Sequence, residues 1–97
     1  MSSCAVAASR SDVRPTLCFS IIADPDPGLM SRIMGLFAKR ALLPSYWCSR
    51  VDGHELTIDL QTRELDPDAA RYFAACFRQF PAVHTVLTSE KRHRGNP

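Results

Sequence analysis

Two aspartates in a proline-rich segment are the first residues of the chain whose types and spacing could support chemistry. Asp24 and Asp26 alternate with prolines in the run Asp24-Pro25-Asp26-Pro27-Gly28. A pair of carboxylates can act as general acid and general base, or can supply oxygen ligands to a metal ion. The competing interpretation is structural, because Asp26 can accept hydrogen bonds from the first N–H groups of a helix and proline suits its first position. We favour helix capping over a catalytic pair or a metal site.

The remaining motifs do not indicate an enzyme. The sequence contains no GxSxG motif, no glycine-rich phosphate loop and no CxxC pair, and no histidine stands at metal-ligand spacing from a cysteine. His54 lies beside a predicted turn and is expected at the surface. Three cysteines are expected to be free and to act as small buried apolar residues: Cys18, Cys48 and Cys76. Without a disulfide pattern the chain is expected in a reducing cytoplasm, with no cofactor and no metal.

The net charge of +2 does not indicate nucleic-acid binding. The 97 residues include 12 Lys and Arg against 10 Asp and Glu, and apolar residues make up 45%. Residues 16–88 hold seven of the cations and eight of the anions, so the positive charge lies at the two ends. A nucleic-acid surface needs a basic stripe on the fold, and a membrane span needs roughly 18–20 consecutive apolar residues. The sequence has neither, so we expect no nucleic acid and no membrane among the partners.

Three segments follow from this distribution. Residues 1–15 are small, polar and aperiodic, which predicts a disordered N-terminal tail. Residues 89–97 are basic and polar and are predicted to form a C-terminal tail. A single domain is therefore expected at residues 16–88, which is too short to enclose a deep catalytic cavity.

The hydrophobic pattern within the predicted domain alternates between the periods of strands and helices. Asp52-Gly53 is a two-residue hairpin signal for a type I′ turn, and Asp66-Pro67 repeats the Asp-Pro helix start of the first half. The predicted strands lie at 16–23, 45–51, 54–62 and 83–88, and the predicted helices lie at 27–40 and between Pro67 and Pro81. The second helix is predicted to bury Ala70, Phe73, Cys76, Phe77 and Phe80.

This β-α-β-β-α-β order predicts an α+β fold of the ferredoxin-like kind. Right-handed crossovers place both helices on one face of a four-stranded antiparallel sheet, with the first and third strands central. The second strand is then an edge strand that carries Tyr46 and Trp47. An unpaired edge with aromatic residues favours contact with a partner, so we predict an interface at these two residues.

The start of the first helix is the second predicted binding surface. Backbone N–H groups at a helix N-terminus and the positive end of the helix dipole can together accept a carboxylate. We expect Gly28 and Leu29 to supply these N–H groups, with Asp24 or Asp26 as the partner of an ammonium group.

The stretch Asp-Pro-Gly-Leu-Met-Ser-Arg-Ile-Met-Gly-Leu-Phe-Ala-Lys-Arg, from Asp26 to Arg40, resembles the first strand-to-helix signature of ACT domains. It is similar to the regulatory small subunit of acetolactate synthase, with its Gly-x-Leu-x-Arg-Ile/Val-x-x-Leu-Phe pattern. The resemblance implies a non-catalytic regulatory domain that forms a homodimer through sheet edges and binds an amino acid effector between subunits. The implied ligand-binding residues are Asp24, Asp26, Gly28, Leu29 and Met30. The resemblance also implies a large catalytic subunit as a partner, in branched-chain amino acid biosynthesis.

Two positions depart from the family pattern. Effector-binding members usually have Asn or Asp three residues before the motif glycine, where this chain has Pro25. They also often have Gly-x-Asn-Ile after the first helix, where this chain has Ala41-Leu42-Leu43-Pro44. The alternative expectation is therefore a dimerisation or protein-interaction subunit whose effector site is degenerate.

Overall fold

Six elements follow one another in the order β-α-β-β-α-β, as predicted. The computed structural model describes residues 16–63 and 65–91, so the predicted N-terminal tail and most of the C-terminal tail lie outside the described residues. The strands are β1 (Thr16–Ala23), β2 (Tyr46–Asp52), β3 (Glu55–Arg63) and β4 (Val83–Lys91), and the helices are α1 (Pro27–Lys39) and α2 (Pro67–Gln79). Neither helix is long and apolar enough to cross a membrane.

The four strands form one antiparallel sheet in the order β2-β3-β1-β4. The central strands β1 and β3 pair along their whole length, with Phe19 opposite Leu60 and Ile21 opposite Ile58. Strands β2 and β4 lie at the two edges, and the predicted ferredoxin-like topology is confirmed.

The core lies between one face of this sheet and the two helices. Alternate residues of β1 and β3 point into it, as the period-two pattern requires. Four phenylalanines, which are at most 1% exposed, connect β1, α1 and α2: Phe19, Phe37, Phe73 and Phe77. The ring centroids of Phe37 and Phe73 are 4.8 Å apart, and those of Phe19 and Phe77 are 5.3 Å apart. One aromatic cluster therefore holds both helices on the sheet.

The opposite face of the sheet carries no helix among the described elements, and we call it the open face. The register places three rows of side chains on it, each crossing from β2 to β4. The first row is Tyr46, Gln61, Cys18 and Ser89, the second is Cys48, Asp59, Ser20 and Leu87, and the third is Arg50, Thr57, Ile22 and Thr85.

Helix α1 ends in a turn that usually contains glycine but has Ala41 in this chain. The Leu42 N–H donates to the Phe37 carbonyl at 2.9 Å and the Ala41 N–H donates to the Ala38 carbonyl at 3.0 Å, which is the Schellman pattern. Its left-handed residue is Ala41, with φ 56°, where glycine is the usual choice. Ala41, the position at which family members often have glycine, thus has the left-handed backbone conformation typical of glycine.

Substituting Ala41→Gly is therefore expected to stabilise the fold. Removing Cβ relieves the left-handed strain, and the added freedom of the unfolded chain offsets part of the gain, which leaves about 0.5–1 kcal/mol. Chemical denaturation measures the change in the free energy of unfolding. Ala38→Gly, an exposed position within α1, is the control and should destabilise by about 1 kcal/mol. A loss of stability in Ala41→Gly would contradict the claim that the positive φ of Ala41 is strained.

Several boundaries differ from the prediction: β2 is Tyr46–Asp52 and not 45–51, β3 is Glu55–Arg63 and not 54–62, and α1 ends at Lys39 and not at 40. The β2–β3 loop consists of Gly53 and His54, because Asp52 pairs with Glu55, and within it only Gly53 has a positive φ, 65°. That pattern fits a type II′ turn, so the predicted type I′ turn at Asp52-Gly53 was wrong. Strand β4 continues to Lys91, three residues beyond its predicted end, because Ser89 to Lys91 keep pairing with β1.

The burial of several residues also differs. Ala70, Cys76 and Phe80 of the second helical segment are half-buried, and Ala74 is buried in their place. Cys18 and Cys48 are free and half-buried, because both lie on the open face and not in the core. His54 is exposed, as expected.

Candidate functional site

The loop between β1 and α1 is organised by the Asp26 side chain. Its Oδ1 accepts a hydrogen bond from the Gly28 N–H at 3.0 Å, and its carbonyl accepts one from the Leu29 N–H at 3.0 Å. Asp26 is therefore the N-cap of α1, with Pro27 as the first helical residue. Asp66 caps α2 in the same way, by accepting from the Ala69 N–H at 2.8 Å. The capping interpretation of Asp26 is confirmed.

Asp24 has a different role, since its carboxylate contacts strand β4. Its Oδ1 lies 2.8 Å from Nε2 of His84, with the two side chains 60% and 55% exposed. The Asp24 N–H also donates to the carbonyl of Ala82 at 2.8 Å. The sheet register shifts at Ile22 and Ala23 opposite the beginning of β4. These contacts fasten the start of the loop to β4.

The groups expected to bind a ligand at this loop are therefore largely engaged within the chain. The N–H groups of Gly28 and Leu29 already have acceptors, and the Leu29 side chain is fully buried. Met30 is half-buried and packs against the core. The exposed carboxylate of the loop is that of Asp24, which is paired with His84 of β4 and whose oxygens can accept hydrogen bonds from an ammonium group. Within the described residues, no three His, Cys, Asp or Glu side chains are placed to hold a metal ion.

Asp26 offers a direct test of capping. Asp26→Ala is expected to lower the free energy of unfolding by about 1 kcal/mol, because the Gly28 N–H loses its acceptor. Asp26→Asn keeps an acceptor oxygen and should cost only a few tenths of a kcal/mol. Asp66→Ala is the matched control on α2. Equal losses in the alanine and asparagine variants, measured by thermal and urea unfolding, would show that the negative charge and not the cap stabilises the loop.

The two aromatic residues predicted at the β2 edge lie on opposite faces. Trp47 is half-buried and packs against the core, whereas Tyr46 lies on the open face and is 49% exposed. A side-chain hydrogen bond with Cys48 raises the pKa of Tyr46, and the Asp59 carboxylate contributes in the same direction. Only Tyr46 therefore offers its ring to a partner above the sheet, and Trp47 contributes to the edge itself.

The two edges of the sheet differ in how accessible their backbone groups are. The Asp24 N–H bond to Ala82 shows that even-numbered residues of β1 direct their backbone groups towards β4. Val86 and Thr88 consequently direct theirs to the outer edge. Arg78 of α2 reaches this edge and donates from Nη2 to the Val86 carbonyl at 3.1 Å. Strand β4 is thus partly covered by a side chain of its own chain.

The outer edge of β2 has no such cover among the described residues. Cys48 is opposite Asp59, and the alternation directs the backbone groups of Cys48 to β3. The neighbouring odd-numbered residues therefore present unpaired N–H and C=O groups to solvent: Trp47, Ser49 and Val51. The Val51 side chain is 65% exposed, although it is apolar.

Sequence reasoning placed His84 and Asp59 on the open face of the sheet but gave neither residue a functional role. His84 meets Asp24 only because β4 pairs with β1 across 60 positions of sequence. Asp59 occupies the middle of the open face, flanked by Ser20 on β1 and Cys48 on β2. The alternation of β3 indicated that Asp59 lies on the polar face, but its neighbours depend on the register of three strands.

Two solved structures have the same fold as this chain at low sequence identity. The C-terminal domain of the MgtC protein from Mycobacterium tuberculosis superposes with a TM-score of 0.68 at 11% identity, over 90% of this chain and 99% of that one. The ACT domain from GTP pyrophosphokinase of Chlorobium tepidum gives a TM-score of 0.66 at 16% identity, over 76% of this chain and 96% of that one. At these identities the likeness establishes the fold.

The family follows from a match of the sequence itself. No curated protein matches the chain. The family model described as the ACT-like domain matches residues 10–95, which include all six elements of the fold. Together with the β2-β3-β1-β4 sheet and its two helices on one face, this match shows that the chain is a member of the ACT-like domain family.

Proposed function

We propose that this chain is a non-catalytic regulatory domain that acts as a homodimer joined at the β2 edges, with an amino acid effector bound beside that interface. The proposal places it in the cytoplasm, where it modulates a metabolic enzyme such as acetolactate synthase. The observation that carries it is the difference between the two sheet edges. Strand β4 has Arg78 bonded to its outer carbonyl at Val86, while β2 leaves its outer groups free among the described residues.

The sequence of β2 is compatible with pairing to a second copy. A two-fold axis at Ser49 pairs all seven residues of the strand and extends the sheet to eight strands. It places Trp47 opposite the partner's Val51 on the helix side, and covers that exposed valine. Cys48 lies opposite the partner's Arg50 on the other side, so no like charges meet. A register centred on Arg50 would place two guanidinium groups together.

A cysteine at the axis tests the edge and the register together. In the proposed pair the two Ser49 Cα atoms are about 5.5 Å apart, which is a distance that a disulfide can span. Ser49→Cys should therefore give a covalent dimer under mild oxidation, with the bond at position 49 identified by peptide mapping. Wild type, which has Cys48, and Thr88→Cys on β4 should not. A dimer linked through Cys48 would exclude this register, and a monomer at all concentrations would exclude the dimer.

The effector part of the proposal rests on the Asp24–His84 pair. Asp24 is the more solvent-accessible carboxylate of the loop, and it can accept an ammonium group in place of His84. The loop contacts β4, the edge opposite β2, and helix α1 connects it to the start of β2, so an effector at the loop would reach the interface through α1. Calorimetric titration with leucine, valine and isoleucine should show binding that Asp24→Asn weakens and that Asp68→Asn, an exposed carboxylate of α2, leaves unchanged. Absence of heat at millimolar concentration would contradict the effector.

A second candidate function is protein interaction without an effector. It is favoured by the Gly28 and Leu29 N–H groups, which already have acceptors within the chain. In that case the domain would assemble subunits through β2, and no amino acid would alter the dimer dissociation constant. Measuring that constant with and without the branched-chain amino acids separates the two functions.

A further inference from the structure

The open face contains a trough that no described helix covers and that lies outside the proposed β2 interface. Its floor is made of small and polar side chains on the central strands, and larger side chains on the two edge strands form its walls. The trough has a volume of about 550 Å³, and the side chains that define it are Cys18, Ser20, Asp59, Gln61, Tyr46 and Leu87. Pairing at β2 extends the sheet sideways and leaves this face accessible.

The floor of the trough carries a carboxylate that has no counter-charge within residues 16–63 and 65–91. Asp59 is half-buried on the central strand β3, between Ser20 and Cys48. The Asp59 side chain forms no hydrogen bond and no ion pair with any described residue. Arg50 lies one row further along β2, and no ion pair joins it to Asp59. Partial burial of an unpaired carboxylate is unfavourable, so the position favours a cation from outside the domain.

The walls of the trough are apolar and aromatic. Leu87 is 58% exposed and Tyr46 is 49% exposed, so both present apolar surface to a molecule on the open face. The two strands that carry them are three strand spacings apart, roughly 14 Å. The Asp59 carboxylate is close enough to Tyr46 to contribute to the raised pKa of its hydroxyl. An aromatic ring beside an anion is an arrangement that binds an ammonium group on an apolar body.

We propose that this trough binds a small organic cation, in which an ammonium group contacts Asp59 and an apolar body lies between Tyr46 and Leu87. The site is distinct from the β1–α1 loop, because that loop lies at the end of β1 and the trough lies at its middle. A ligand in the trough and an effector at the loop could therefore be bound at the same time. The inference does not depend on dimerisation or on the effector.

The test uses 3-methylbutylamine as the probe and its neutral analogue 3-methylbutan-1-ol as the matched ligand. In two-dimensional amide NMR spectra of the full chain, the amine should shift the amide signals of Ser20, Asp59 and Leu87 in a saturable way. Asp59→Asn should raise the dissociation constant about ten-fold, because a charge-assisted hydrogen bond is lost. Glu55→Gln is the control, since Glu55 is an exposed carboxylate on the same strand and face. The spectrum of each variant shows whether it is folded.

Three outcomes would overturn the proposal. Equal shifts with the alcohol would mean that the charge does not contribute. Equal affinities of wild type and Asp59→Asn would mean that the amine binds elsewhere. Shifts of the same signals on dilution, without any amine, would mean that a second copy of the chain covers the open face. An Asp24→Asn variant that keeps amine binding separates this site from the proposed effector loop.

Discussion

Replacing Phe77 by alanine is expected to lower the free energy of unfolding by about 3–5 kcal/mol. Phe77 is fully buried, and its ring contacts Phe19 of β1, Phe37 of α1 and Phe73 of α2. Its removal therefore leaves a cavity where both helices meet the sheet. The free energy of unfolding of native proteins is about 5–15 kcal/mol, so this one substitution should remove a large part of it.

Phe80→Ala is the matched control for this prediction. Phe80 follows α2 as its C-cap and packs against the core, but it is only half-buried. Its loss should cost about 1–2 kcal/mol, since part of its surface is already in water. Urea unfolding at a fixed protein concentration measures both variants, because dimerisation would make stability concentration-dependent. Similar losses for the two variants would contradict a core centred on the four buried phenylalanines.

Replacing Ser49 by proline is expected to convert the proposed dimer into a folded monomer. The Ser49 N–H points to the outer edge of β2, so proline removes a donor to the partner without removing one from the β2–β3 ladder. Both protomers lose the bond at the two-fold axis, and each leaves a carbonyl without a donor. The dimer dissociation constant should rise by roughly 30-fold to 1000-fold, equivalent to about 2–4 kcal/mol. Analytical ultracentrifugation measures this change.

Thr88→Pro provides the matched control for the edge. Thr88 also directs its N–H outward, but from β4, whose edge Arg78 partly covers. This variant should keep the dissociation constant of wild type. A monomer produced by Thr88→Pro and not by Ser49→Pro would assign the interface to β4. Circular dichroism of both variants verifies that the proline has not unfolded the domain.

Much of the fold could be predicted because local signals agreed with one another. The alternation of β1 and β3 identified the core face, and the Asp-Pro pairs at Asp26 and Asp66 marked both helix starts, as the structure confirms. The position and type of the β2–β3 turn were harder to predict, because a one-residue shift of the loop changes which residues of the two strands pair. The structure pairs Asp52 with Glu55, which a turn at Asp52-Gly53 would not.

The candidate sites were less predictable because they depend on pairing between distant strands. Asp24 meets His84 through a register shift at the end of β1, and no local pattern records such a shift. The Asp59 carboxylate has no ion-pair partner among the described residues, because its neighbours in register are Ser20 and Cys48. The motif at Asp26 identified the family but not the state of its N–H groups, which depends on the capping geometry.

The mass of the chain in solution tests the proposed regulatory dimer most directly. Sedimentation equilibrium of the wild-type chain over a wide concentration range should show reversible association to twice the monomer mass of 10.8 kDa. It should show no larger species. A two-fold pair at β2 uses the β2 edge of both protomers, and the other edge, β4, is partly covered by Arg78. A mass of 10.8 kDa at every concentration would contradict the account.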